Sequence, residues 1–152
     1  MNVGAYCSRT VVYVYGQETP LEAARIMREQ HVGDVVIIED HVDQHGEKKV
    51  PIGIVTDRDI AIEIVAEEVD PTEVSVLDVC RKNLVVVSEN DDLSECISLL
   101  KREGVRRAPV VDEEGFLVGI IAVDDILEIL AEQLSDLADL VGFQAEQEVL
   151  AT

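Results

Sequence analysis

The sequence predicts an α+β fold with α/β-type layers: two β-α-β-β-α repeats packed against each other with pseudo-twofold symmetry. Three observations carry this. The chain matches itself when slid by 73 positions, so that CSRTVVYV (7–14) falls on CRKNLVVV (80–87) and ARIMREQHVGDVVII (24–38) on ISLLKREGVRRAPVV (97–111). After one gap the offset is 66, and GIVTDRD (53–59) falls on GIIAVDD (119–125), with Gly53 on Gly119 and Asp59 on Asp125. Within each copy, short β-branched runs alternate with amphipathic segments, and 47% hydrophobic residues in a chain of 152 are ample for a core.

In the first repeat, VVYVY (11–15) reads as a strand. TPLEAARIMREQ reads as a helix with Thr19 as N-cap, Pro20 in the first turn and an apolar stripe of Leu21, Ala24, Ile26 and Met27. Strands are expected at 34–39 and 51–56, on either side of a polar hairpin loop, and a helix over 57–68 with acidic residues in its first turn. One helical turn is expected at VSVLDVC. The second repeat predicts a strand at 84–87, a helix at 91–103, strands at 108–112 and 116–121, and a helix from about 124. That helix outruns its counterpart, and Ile126, Leu127, Leu130, Leu134, Leu137, Leu140 and Val141 keep one face apolar. The domain boundaries are therefore 3–68 for repeat one, 69–79 for a linker, 80–135 for repeat two and 136–152 for a C-terminal helical extension.

Charge narrows the function classes. With 12 basic and 32 acidic residues the net charge is −20, which repels the phosphate backbone of nucleic acid. Any phosphate site must be built locally from a few arginines and backbone N–H groups. No apolar run approaches the ~20 residues of a membrane span. MNVGAYCSRT lacks the basic-then-apolar pattern of a signal peptide, which points to the cytoplasm. Cys7, Cys80 and Cys96 are widely spaced with no CxxC, a poor disulfide or zinc framework, and read as small apolar residues. His41 and His45 in EDHVDQHGE are four apart, but on a hairpin this spacing does not set them on one face, so the stretch reads as a solvated turn. The dinucleotide G-x-G-x-x-G and the Walker A pattern are absent, and no nucleophile–base pairing stands out, so nothing argues for an enzyme.

The stretch GIVTDRDI (53–60) is a buried strand running into a helix N-terminus. Thr56 ends the strand with a hydroxyl, Arg58 and the helical N–H groups supply positive potential, and Asp59 lies one turn on. Two readings of Thr56 and Asp59 stand side by side: a helix cap with a carboxylate complementing the dipole, or a pair facing a ligand.

With its β-α-β-β-α order found twice, GVRRAPVVDEEG (104–115) and GIVTDRDI, the chain resembles a tandem CBS-domain pair, or Bateman module, of the stand-alone prokaryotic type over about residues 3–135. GIVTDRD resembles that family's G-h-x-T-x-x-D nucleotide signature, where h is apolar. The resemblance implies a non-enzymatic sensor that binds an adenine nucleotide or adenosyl ligand between its repeats, forms a homodimer and signals to an output protein. It implies that Asp59 accepts from both ribose hydroxyls and Thr56 donates to a ribose or phosphate oxygen. It also implies that Arg106 and Arg107, before the middle strand of the second repeat, meet the phosphate. The base would be read through backbone groups near 9–12 and 34–36, represented by Thr10, Asp34, Val35 and Val36. In the second crevice Asp125 is kept, but Ala122 replaces the threonine, and Gly33 and Asp34 stand where the first crevice has its arginines. A carboxylate there opposes phosphate, so that site is expected to be empty, weak or used by an uncharged adenosyl group. Backbone reading leaves AMP, ADP, ATP, NAD and S-adenosylmethionine as alternatives. A structural or adaptor protein of the same fold, without a physiological ligand, is the alternative function.

Overall fold

The structure, a computed structural model, describes residues 1–81 and 83–151. Each repeat forms a three-stranded mixed sheet. The first has the order β1 (Tyr13–Tyr15), β2 (Asp34–Asp43), β3 (Gly46–Thr56); the second has β4 (Val87–Ser88), β5 (Arg107–Val111), β6 (Leu117–Ala122). In both, the first pair is parallel and the second antiparallel. The parallel step is bridged by a helix, α2 (Pro20–Gln30) or α5 (Leu93–Glu103).

Helix α2 starts as its sequence requires. Thr19 and Glu22 form a reciprocal capping box and Pro20 occupies the first position. Its core face is Pro20, Ala23 and Met27, with Leu21, Ala24 and Ile26 only partly buried, so the apolar stripe is rotated from the one expected.

The sequence did not announce α1 (Val3–Tyr6), a short helix capped by the Asn2 side chain. Val3 is fully buried in the core of the second repeat, beside Val87, Leu93 and Ile121. The converse holds for α4 (Val76–Val79), the helical turn between the repeats, whose Val76 and Val79 are buried in the core of the first. The repeats thus exchange their leading segments. The exchange is seated on two equivalent glycines. A Cβ on Gly119 would lie 2.7 Å from both Cys7 Sγ and the Ser8 carbonyl oxygen, and one on Gly53 would lie 3.3 Å from Cys80 Sγ. Ser8 and Ile120 also trade two backbone hydrogen bonds of 2.9 Å.

Three expectations are corrected. The polar hairpin loop is strand: β2 continues to Asp43 and β3 begins at Gly46, leaving Gln44 and His45 as a two-residue turn and Gly46 at φ +107°. The polar residues pair across the arm. Asp40 stands opposite Lys49, Tyr15 donates to Asp40 at 3.3 Å, and the Lys49 ammonium lies 5.3 Å from the Tyr13 ring centroid. The helix expected over 57–68 is α3 (Asp57–Ile60) followed by a π-helical turn (Ala61–Val65), in which Ala66 N–H donates to Ala61 O at 3.0 Å. The strands expected at 11–15 and 84–87 are the shorter β1 and β4.

Helix α6 (Val123–Ala151) is continuous with the second repeat and extends beyond it. The last residue of the extension expected over 136–152 lies outside the described residues. Cys7, Cys80 and Cys96 form no disulfide; Cys96 is buried and the others half-buried. Burial pushes the Cys96 thiol up to about 11. Among the described residues no helix is long and apolar enough to cross a membrane.

Candidate functional site

Strand β3 delivers Thr56 in extended conformation to the first turn of α3. There Thr56 Oγ1 accepts from the Asp59 N–H at 3.0 Å, and Asp59 Oδ2 accepts from the Thr56 N–H at 2.9 Å. This is the reciprocal capping box of a helix start. A carboxylate offers about four lone-pair sites, and this cap takes one of Asp59's, so capping leaves acceptor capacity for a second partner.

A cavity of about 520 Å³ opens in front of this cap. The first repeat contributes Gly33, Asp34, Ile54, Thr56, Asp57, Arg58 and Asp59; the second contributes Gly104, Val105, Arg106 and Arg107, and Arg81 from its leading segment. The structure thus brings Thr56, Arg58, Asp59, Arg106 and Arg107 around one space. Thr10, Val35 and Val36 are not in the lining. Val35 and Val36 are fully buried, and the Val36 N–H is held by the Val12 carbonyl at 3.0 Å. Four of the chain's 12 basic residues line the cavity, against the carboxylates of Asp34, Asp57 and Asp59. In a chain of net charge −20, that is a local concentration of basic side chains.

The arginines are held to different degrees. Arg106 pairs with Asp124 at 3.0 Å, both side chains well exposed, a contact of little strength. Arg81 donates to the Glu103 carbonyl at 2.9 Å, at the C-terminal end of α5. Arg107 Nε lies 2.6 Å from Asp34 Oδ2, and Asp34 is only 7% exposed. Burial pushes the Asp34 carboxyl above the usual carboxylate range; Arg107 pulls it down and the Asp57 carboxylate raises it further. Asp34, expected to weaken a second crevice and to lie near the base, therefore lines the first cavity and engages one of the arginines expected to meet phosphate. Position alone could not show this, because the contact joins residues of different repeats.

Arg81 was missed by sequence reasoning. Its signal was the repeat itself: it follows Cys80 as Ser8 follows Cys7, and both segments cross to the other repeat.

The residues of the second crevice are not brought together in the same way. Asp125 lines a smaller cavity of about 250 Å³ with Tyr6, Cys7, Ser8, Glu128, Ile129 and Glu132, where three carboxylates meet no basic side chain. Ala122 is buried and absent from that lining. His41 lies in β2 with its ring 5.4 Å from that of Phe116, and His45 in the hairpin turn. Among the described residues no group of three or more His, Cys, Asp or Glu could hold a metal ion.

The CBS-domain family model matches residues 3–66 and 76–132. The chain belongs to the CBS-domain family. Its tandem pair is 36% identical over 129 residues to an uncharacterized protein of Methanopyrus kandleri, covering 85% of this chain and 62% of that one. It is 33% identical over 132 residues to hypoxic response protein 1 of Mycobacterium tuberculosis, covering 87% and 82%. This CBS pair thus spans less than two thirds of the first relative's length and most of the second's. Among solved structures, that of hypoxic response protein I with two coordinated zinc ions matches with a TM-score of 0.71 and 29% identity, over 84% of this chain and 98% of that one. The CBS domain pair of protein MJ0100, in complex with 5′-methylthioadenosine and S-adenosyl-L-methionine, matches with a TM-score of 0.71 over 88% and 98%, at 22% identity that carries the fold alone.

Proposed function

We propose that this CBS pair is a non-enzymatic regulatory module. It binds one adenine nucleotide or adenosyl ligand per chain in the cavity between the repeats and passes the signal by docking to another protein, as a homodimer. The observation that carries this reading is the cavity in which the Thr56–Asp59 cap faces Arg58, Arg81, Arg106 and Arg107. Its size falls in the range of about 300–1,000 Å³ typical of small-molecule sites. Asp59 accepts from the ribose hydroxyls, the Thr56 hydroxyl donates to a ribose or phosphate oxygen, and Arg58, Arg81 and Arg106 receive phosphate. Arg107 joins them when it leaves Asp34.

The adaptor reading draws on a specific observation of its own. The capping box and the Asp34–Arg107 pair satisfy these groups without any ligand. Calorimetric titration of the full chain with adenosine, AMP, ATP and S-adenosylmethionine separates the two. Saturable binding of at least one at about one per chain supports the sensor; no heat from any supports the adaptor.

A further inference from the structure

Helix α6 leaves the second repeat with an apolar seam that none of the described residues covers. Ile126 is buried and the Gln133 side chain still reaches Met1 Sδ at 3.6 Å. Beyond Gln133, every residue through Phe143 is exposed. Along this helix Leu127, Leu130, Leu134, Leu137 and Val141 recur at alternating spacings of three and four, with exposures of 58%, 38%, 68%, 60% and 66%. That is the a/d pattern of a coiled coil. The remaining run of about 18 residues would be marginal as an isolated helix in water.

Two features say what covers it. The positions flanking the seam are Ala131, Gln133, Ala138 and Leu140, all uncharged, while Glu128, Glu132, Asp136 and Asp139 lie on the outer side. A second copy can therefore approach the seam without meeting like charge at its edge, although the helix carries no basic residue. Beside the first half of the seam runs an apolar groove of about 370 Å³ between α5 and α6, whose walls include Ile97, Leu100, Val105, Leu127 and Leu130. Only an antiparallel neighbour brings the free second half of a helix onto that groove; a parallel one sets half against like half and leaves the groove open.

We infer that α6 pairs with α6 of a second copy as an antiparallel two-helix coil, with Leu130 opposite the second copy's Val141 and Leu134 opposite its Leu137. This rests on the homodimer reading above and assigns its interface.

Sedimentation of the full chain and of Leu134→Glu and Leu137→Glu tests it, with circular dichroism as a check on folding. Both side chains are exposed, so the variants keep the fold. The expected result is a wild-type dimer that tightens as salt is raised, because the outer acidic faces repel and salt screens them, and a dimer weakened at least tenfold in each variant. Chains carrying Leu130→Cys and Val141→Cys, mixed and oxidised, should cross-link with each other and neither with itself, against a parent retaining the native cysteines. A wild type that is monomeric overturns both this interface and the homodimer. Variants that dimerise like wild type overturn the interface and leave the homodimer standing, and cross-linking of each cysteine chain with itself overturns the antiparallel arrangement.

Discussion

Asp34 and Arg107, 73 positions apart and so equivalent in the two repeats, form a 2.6 Å ion pair across the pseudo-twofold axis. Each is the first residue of its middle strand. The same charged residue in both copies would place two like charges here; this chain carries opposite ones. The pair joins the two repeats in the lining of the cavity, and it makes Asp34 a built-in competitor for any phosphate that seeks Arg107.

Asp34→Asn should therefore raise affinity for AMP while leaving adenosine nearly unchanged. Since burial raises the Asp34 carboxyl above its ordinary value, this carboxylate costs stability at neutral pH, and the cost is relieved as pH falls through the raised value. Over that window, protonation frees Arg107. AMP affinity of wild type should accordingly gain on that of Asp34→Asn as pH falls, the ionisation of AMP itself being common to both. Parallel pH profiles in calorimetric titrations of the two proteins would count against the competition.

The assignment of Asp59 to the ribose is tested by the sugar. Two hydrogen bonds to a charged acceptor, each worth about 1.5–3 kcal/mol, correspond to a loss on the order of 100-fold or more when both hydroxyls are removed. Titration with 2′,3′-dideoxyadenosine should show that loss against adenosine; equal affinity would remove the ribose from Asp59.

Arg81→Ala and Arg106→Ala should weaken ATP and AMP far more than adenosine, and should flatten the salt dependence of ATP binding. Neither should alter the fold much, since Arg81 holds one carbonyl and Arg106 an exposed partner. Arg107→Ala differs, because it strands the buried Asp34 at a cost of about 1–3 kcal/mol. Chemical denaturation of the three variants checks the order.

The exchanged segments give a purely structural prediction. Gly119→Ala puts a methyl 2.7 Å from the Ser8 carbonyl oxygen, a backbone atom that cannot turn aside, whereas Gly53→Ala meets side chains, Ile37 Cδ1 at 3.1 Å and Cys80 Sγ at 3.3 Å. Overpacking of this kind costs about 1–3 kcal/mol. Urea unfolding should place Gly119→Ala at the upper end and Gly53→Ala below it.

The repeat made most of this fold legible. The Thr19 cap, the strand end at Thr56 and the long last helix follow from periodicity and cap chemistry, which are local. The helix at Val3–Tyr6 was not legible, because four residues carry no periodicity and Val3 is held by the other repeat. The hairpin arm was misread because Asp40 and Lys49 are polar in sequence and favourable only as a cross-strand pair. At the candidate site, Thr56 and Asp59 were legible as residue types in a pattern, and Arg106 and Arg107 through the family resemblance. The engagement of Arg107 by Asp34 and the arrival of Arg81 depend on how the repeats meet, and a single sequence does not print that.

The proposed function requires one ligand per chain, held in the cavity of Thr56 and Asp59. The most direct measurement is the stoichiometry of calorimetric titration with the tightest adenosyl ligand, on wild type, Asp59→Ala and Asp125→Ala. About one site per chain is expected, mostly lost in Asp59→Ala and nearly intact in Asp125→Ala. Two equal sites per chain, or a site that survives Asp59→Ala and disappears with Asp125→Ala, would contradict it.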